Sequence, residues 1–78
     1  MEETVAEQVS VYPNPAKDFV RIEGVEAAEV RVYNALGLVV KKVQGSNIID
    51  MSGLMEGVYL VRISDKEGGS FLEKVMVR

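Results

Sequence analysis

Three aspartates are the side chains best placed for chemistry, because Asp18, Asp50 and Asp65 stand at the ends of predicted strands or in turns. A pair of carboxylates can act as general acid and base, and a cluster of them can hold a divalent cation. A calcium loop needs several oxygen ligands close together, however, and Lys66 interrupts the acidic run after Asp65. Asp in a turn usually accepts hydrogen bonds from nearby backbone amides, and we expect that structural role for all three.

Other catalytic chemistry lacks its usual residues. The chain has no His and no Cys, which removes the commonest general base, the thiolate and imidazole metal ligands and any disulfide. None of the serines has an evident activating base, and no glycine-rich stretch precedes a predicted helix as a phosphate loop requires. We therefore expect a protein that is not an enzyme and that uses no metal or cofactor.

The size and charge of the chain limit the classes of partner that it can bind. A chain of 78 residues, 47% hydrophobic and 27% charged, fits one small globular domain. Twelve acidic residues against nine basic ones give a formal net charge of −3, and Lys41 and Lys42 are the only adjacent cations, so nucleic acid is not an expected partner. No apolar run reaches the roughly 18–20 residues of a membrane span. The acidic start at Met1 does not look like a signal peptide, so we expect any export signal upstream in a longer precursor.

Apolar residues recur at every second position, and β-branched residues dominate these runs, which is typical of β-strands. The predicted strands are Gln8–Tyr12, Asp18–Glu23, Glu29–Tyr33, Leu38–Val43, Ile48–Met51, Val58–Ser64 and Phe71–Arg78. Seven short strands separated by turn residues indicate an all-β fold, which we interpret as a seven-stranded antiparallel β-sandwich of Ig-like Greek-key topology.

The segments between the strands also predict local structure. Pro13-Asn14-Pro15 is expected to form a rigid corner, because both prolines forbid helix and ladder pairing at their own nitrogens. Asn34-Ala35-Leu36-Gly37 should be the tight turn of a β-hairpin, and the segment 52–57 should be a crossover loop with Leu54 in the core. The polar residues Met1 to Glu7 look like the remnant of a linker to an N-terminal domain, and the last strand runs to Arg78 without a trailing tail.

Four methionines and three tyrosines invite the interpretation of a binding surface, because both residue types are common at interfaces. The structural alternative is that Met51, Met55 and Met76 fill the core while the tyrosines cover strand faces. We favour the structural alternative.

The order of these signatures resembles the type A C-terminal sorting domain of the type IX secretion system, also called the Por secretion system. The matching segments are Val11-Tyr12-Pro13-Asn14-Pro15-Ala16, Asp18 to Ile22, Val30 to Gly37, Ile49 to Leu54, Gly57 to Ile63 and Glu73-Lys74-Val75-Met76-Val77-Arg78. Together they cover nearly the whole chain, and residues 8–78 would form the domain. Met76 departs from the family pattern, which usually has Val or Leu there, and so does Leu38-Val39, where a polar residue is common.

The resemblance implies transport rather than catalysis. Proteins of this family carry an N-terminal cargo domain and an upstream signal peptide, pass through the periplasm, and are recognised by an outer-membrane translocon and its shuttle protein. A sortase-like peptidase commonly removes the domain, leaving the cargo at the cell surface or secreted. By this resemblance the chain is a C-terminal secretion signal.

The family motif maps onto seven residues of this chain: Pro13, Asn14, Pro15, Gly57, Tyr59, Lys74 and Val75. Each also has a structural interpretation, in which the prolines shape a corner, Gly57 permits a turn or bulge, Tyr59 packs and Val75 fills the core. Lys74 is the expected recognition residue, because nothing in the strand pattern demands a cation there. We hypothesise that the exposed edge and face of the last two strands dock on the receptor by strand addition.

Two other functions remain open at this stage. An Ig-like binding or adhesion module of an extracellular protein would usually present aromatic side chains, yet aromatic residues make up only 6% of this chain. A small carboxylate enzyme would need two acidic groups that converge in a cleft. The exposed edge strands of an isolated sandwich would also allow a homodimer.

Overall fold

Alternation of buried and exposed side chains defines the strands. The computed structural model of the protein describes residues 9–78. In the strand Phe19–Glu23, for example, Val20 and Ile22 are buried while the residues on either side of them are exposed. Successive side chains of an extended chain point to opposite faces, so this alternation commits one face of each strand to the interior.

All seven predicted strands are present, and their ends differ from the prediction by at most two residues. They are β1 (Ser10–Tyr12), β2 (Phe19–Glu23), β3 (Ala27–Tyr33), β4 (Val39–Gln44), β5 (Ile48–Asp50), β6 (Gly57–Asp65) and β7 (Ser70–Val77). The expected first strand residue Gln8 and the expected linker remnant Met1–Glu7 lie outside the described residues.

The strands form two antiparallel sheets, as a sandwich requires. The small sheet has the order β1-β2-β5 and the large sheet has the order β4-β3-β6-β7. The chain passes from one sheet to the other after β2, after β4 and after β5. The all-β, seven-stranded antiparallel sandwich is therefore confirmed, while its assignment as Ig-like Greek key stays a prediction.

The core lies between the inward faces of the two sheets. Its fully buried side chains include Val20, Ile22 and Ile49 from the small sheet and Val30, Val32, Val61, Ile63, Val75 and Val77 from the large sheet. Leu54 of the crossover loop packs against this core, as expected. Buried polar or charged residues are absent from residues 9–78, so apolar contact is the main interaction of the interior.

The β3–β4 connection is the predicted hairpin. The carbonyl oxygen of Asn34 accepts a hydrogen bond from the Gly37 amide at 2.9 Å, and its side-chain Oδ1 accepts from the amides of Leu36 and Leu38 at 2.9 and 3.0 Å. Gly37 has a φ of +83°, a left-handed conformation in which glycine pays no steric cost. Asn and Gly therefore define this turn for the reasons that the sequence indicated.

The core assignment of the methionines was correct for only one of the three. Met51 is fully buried, but Met55 is 81% exposed and Met76 is 42% exposed. Met76 lies between Val75 and Val77, which both point inward, so the strand alternation turns its side chain to the opposite face. Met55 belongs to the loop that follows Leu54 and lies outside the strands.

In the described residues there is no helix long and apolar enough to cross a membrane.

Two adjacent isoleucines in β5 test the alternation directly. Ile49 is fully buried opposite Val20, whereas Ile48 is 50% exposed opposite Arg21. We expect Ile49→Ala to lower the free energy of unfolding by roughly 2–5 kcal/mol, because it leaves a cavity in the core. Ile48→Ala, which removes the same atoms from the outer face, should cost well under half of that. Urea unfolding of both variants measures the difference, and equal losses would contradict the inward assignment of Ile49.

Candidate recognition surface

The predicted proline corner meets the last strand of the large sheet. The side chain of Asn14 donates a hydrogen bond from Nδ2 to the Lys74 carbonyl oxygen at 3.1 Å, and its Oδ1 accepts one from the Met76 amide at 3.0 Å. The carboxamide of Asn14 thus uses one N–H and its oxygen to pair with β7, as the backbone of a neighbouring strand would. The corner between Pro13 and Pro15 is therefore attached to a strand about sixty residues further along the chain.

Two residues after Asn14, the backbone itself continues this pairing. The Ala16 amide donates to the Met76 carbonyl oxygen at 2.7 Å, and the Ala16 carbonyl oxygen accepts from the Arg78 amide at 2.9 Å. Ala16 is fully buried and forms a parallel bridge with Val77. The segment that leaves the small sheet after β1 therefore runs along the edge of the large sheet before it returns in β2.

Four of the seven motif residues, namely Gly57, Tyr59, Lys74 and Val75, lie in the β6–β7 pair. Tyr59 and Val75 face each other across the two strands and are both buried, and the Tyr59 hydroxyl donates to the Met55 carbonyl oxygen at 2.6 Å. Gly57 opens β6 opposite Val77, and the register from there on runs without a shift, so the bulge considered for Gly57 is absent. No atom lies within 4 Å of the position that a Cβ of Gly57 would take. Crowding therefore does not explain a glycine at this position.

Lys74 is the one charged motif residue, and it is exposed. It lies directly opposite Leu60 on the outer face of the large sheet, and its neighbours on that face of β7 are Leu72 and Met76. Leu60, Leu72 and Met76 are 40%, 60% and 42% exposed. Lys74 therefore stands beside apolar side chains that the domain leaves open to solvent, and Arg62 lies opposite Leu72 on the same face.

The structure brings all seven predicted site residues to one region, where the corner, the start of β6 and the end of β7 meet. Pro13, Pro15 and Lys74 are exposed, whereas Tyr59 and Val75 belong to the core and Asn14 holds the edge of β7. The buried Ala16, which joins the corner to β7, and the exposed Leu60, Leu72 and Met76 were missed as members of this region. Strand alternation could have indicated the last three, because each is adjacent to a residue that points inward, but nothing in the type of Ala16 singles it out.

The rest of the outer face of the large sheet is unusually cationic for an acidic chain. Arg31 stands opposite Lys42 on one side and opposite Arg62 on the other. Like charges directly across a sheet repel each other, and Glu29 offsets part of this repulsion by contacting Arg31 at 3.3 Å and Lys42 at 3.5 Å. Partial burial raises the pKa of Glu29, but the hydrogen bond from Arg31 and the charges of both cations outweigh it and hold that pKa below its usual value. Among the ion pairs of the described residues, none includes Arg62 or Lys74.

Two of the three aspartates considered for chemistry end a strand and accept hydrogen bonds from the turn that follows it. Asp50 Oδ1 accepts hydrogen bonds from the hydroxyl and the amide of Ser52, which lower the pKa of Asp50 below its usual value. Asp65 Oδ1 accepts from the amides of Glu67 and Gly69 at 2.9 and 2.6 Å. For Asp18 it is the backbone carbonyl that takes part, accepting from the Met51 amide at 2.8 Å, and the role of its side chain stays a prediction. Within residues 9–78 no group of three acidic side chains converges to hold a metal ion.

These features define a class of protein: a small β-sandwich with an apolar core, a corner attached to the edge of its last strand and an exposed cationic face. Residues 10–78 match the family model described as "Secretion system C-terminal sorting domain". The chain belongs to this family, as its motifs indicated.

A similar protein of known name supports membership of this family, and the matching part is a small fraction of that protein's length. The chain is 35% identical over 72 residues to a protein named beta-agarase D from Zobellia galactanivorans. The match covers 91% of this chain and 15% of the length of that relative. The sorting domain is therefore similar to one part of a much larger protein.

Substitution of Asn14 tests its attachment to β7. Asn14→Ala removes two hydrogen bonds and should lower the free energy of unfolding by about 1–3 kcal/mol, at about 0.5–1.5 kcal/mol for each bond. Asn14→Asp keeps an acceptor for the Met76 amide but loses the donor to the Lys74 carbonyl.

Amide hydrogen exchange distinguishes the two variants. We expect the Met76 amide to exchange faster in Asn14→Ala and to stay protected in Asn14→Asp, while the Arg78 amide, bonded to Ala16, serves as an internal control. Unchanged exchange at Met76 in Asn14→Ala would show that the side chain does not hold this edge.

Proposed function

We propose that the chain is the folded C-terminal signal that directs an N-terminal cargo through the type IX secretion system and across the outer membrane. The sorting-domain family supports this function, and the much greater length of the matching relative supports attachment to a cargo. In this proposal residues 8–78 are the signal and residues 1–7 are the end of the linker. The protein passes through the periplasm and reaches the cell surface or the medium.

The partners in this proposal are those of the family. The outer-membrane translocon and its shuttle protein recognise the folded domain, and a sortase-like peptidase removes it by cutting the linker. The domain itself is proposed to have no catalytic role and to need no cofactor. The hydrogen bonds of Asp50 and Asp65 support this, because they occupy acidic groups in turn structure rather than in a cleft.

The exposed charge of Lys74 is the observation that carries the proposal of a recognition surface. The apolar core needs no cation at this position, and Lys74 has no ion pair among the described residues. Its backbone, by contrast, is fixed by the bond from Asn14 to its carbonyl oxygen and by pairing with Leu60. A charge on a rigid strand, next to exposed apolar side chains, can orient an acidic partner and exclude partners of the wrong charge.

An Ig-like binding or adhesion module is the second candidate, and one feature favours it. Tyr12 and Phe19 are 43% and 44% exposed on the outer face of the small sheet, where Tyr12 stands opposite Arg21. Aromatic and Arg side chains are enriched at binding surfaces. Export of a fused reporter distinguishes the two functions, because only a sorting signal carries a periplasmic reporter into the medium.

Substitution of Lys74 tests recognition. We expect Lys74→Ala, in a cargo with the full domain, to reduce secretion severalfold while leaving the stability of the domain nearly unchanged, because exposed side chains contribute little to folding. Lys74→Arg should retain most of the secretion, since it keeps the charge. Secreted cargo is measured as a fraction of total cargo by immunoblot, and stability is measured by thermal unfolding.

The matched control is Lys66→Ala, which removes another exposed Lys from the turn between β6 and β7. It should leave secretion unchanged. Undiminished secretion of a folded Lys74→Ala protein would remove Lys74 from the recognition surface.

A further inference from the structure

The edges of the two sheets differ in how well they are protected from pairing with another strand. The small sheet ends in β1 and β5, each of which has only three residues. The large sheet ends on one side in β4, whose register with β3 shifts near Tyr33 and which carries Lys41 and Lys42. Short edge strands, bulges and lysines are features that discourage edge-to-edge association. The other end of the large sheet is β7, with eight residues and no register shift.

Half of the β7 edge is already occupied. The carbonyl of Lys74, the amide and carbonyl of Met76 and the amide of Arg78 are all bonded to Asn14 or Ala16. The corner therefore covers the edge from the Lys74 carbonyl onward and would stop any added strand at that point.

Within residues 9–78 no strand pairs with the other half of this edge. In an antiparallel pair the amide and carbonyl of one residue point to the same side, and the side alternates from residue to residue. Because the Lys74 and Met76 groups point away from β6, the amide and carbonyl of Leu72 and of Ser70 must point away as well. No other strand of the described residues pairs with them on that side. We call the segment Ser70–Lys74 the open edge.

We propose that the open edge accepts an extended segment of the secretion receptor as an additional strand of the large sheet, with an apolar side chain beside Leu72 and a carboxylate beside Lys74. This inference rests on the proposed function and specifies its binding mode. Main-chain hydrogen bonds supply affinity in strand addition, and alternate side chains supply specificity. On the outer face the open edge presents Leu72, which is 60% exposed, and then Lys74, so an apolar and an acidic residue two positions apart match it.

Charge favours a receptor segment over a second copy of the chain. An antiparallel pair of two open edges centred on Leu72 would place Lys74 opposite Ser70 of the second copy. That arrangement buries part of Leu72 but gives the Lys74 ammonium no carboxylate. A strand from an acidic partner satisfies both positions.

Proline substitution tests the backbone pairing. Leu72→Pro removes an amide that has no bond to β6, whereas Leu72→Ala loses the same side chain and keeps that amide. Ser70→Pro and Ser70→Ala form a second matched pair at the first residue of β7, where proline is best tolerated. Each variant is placed in a full cargo fusion in a host that carries the secretion system, and secreted and total cargo are measured together with thermal unfolding and sedimentation.

We expect each proline variant to secrete roughly tenfold less cargo than its alanine partner, the ratio that about 1.4 kcal/mol of lost binding produces. If Leu72→Pro fails to fold, the comparison of Ser70→Pro with Ser70→Ala decides. Equal secretion by folded proline and alanine variants overturns strand addition and leaves the sorting function standing.

Failure of the unmodified fusion to be secreted removes the proposed function, and this proposal with it. A dimer that the proline variants abolish without any change in secretion assigns the open edge to a second copy and overturns the receptor assignment.

Discussion

The attachment of the proline corner to β7 is the interaction on which the candidate recognition surface depends. Through Asn14 and Ala16, a segment that begins and ends in the small sheet forms hydrogen bonds with the outer strand of the large sheet. This contact joins the two layers at their edge. It also fixes the backbone at Lys74 and leaves the side chain of Lys74 free to point outward. The motif residues of the corner and those of β7 therefore act as one structural unit, although they lie far apart in the sequence.

Strand alternation made most of the fold predictable from the sequence. One outward-facing residue separates the members of each pair of inward valines or isoleucines, such as Val30 and Val32. A helix would place two residues at this spacing on opposite sides and could not bury both of them. In Met76 the position in the strand, rather than the residue type, decides whether the side chain is buried. It is apolar and was assigned to the core, yet its place between Val75 and Val77 already required the opposite face. The sheet in which each strand would lie could not be predicted, because it depends on pairing between distant segments.

Strand alternation also made part of the candidate site predictable. The exposure of Lys74 follows from alternation, since Val75 beside it must point inward. The role of Asn14 does not follow from any local pattern, because an Asn between two prolines is also an ordinary turn residue. Its carboxamide acquires a specific function only when β7 passes within hydrogen-bond distance. The family resemblance thus pointed to the motif residues and alternation gave the exposure of Lys74, but only the tertiary structure shows how the corner and β7 are joined.

The candidate recognition surface exists only in the folded domain. Lys74 lies in the same short stretch of sequence in the unfolded chain, but its position beside Leu60 and its restraint by Asn14 exist only after β6, β7 and the corner have come together. The corner and β7 lie about sixty residues apart, so their contact carries a loop-closure entropy that the rest of the folded structure must offset. A receptor that reads the backbone of β7 and the charge of Lys74 together would therefore distinguish folded from unfolded protein. Partial unfolding at the corner would disturb the edge and the cation at once, so the surface reports on the integrity of both sheets.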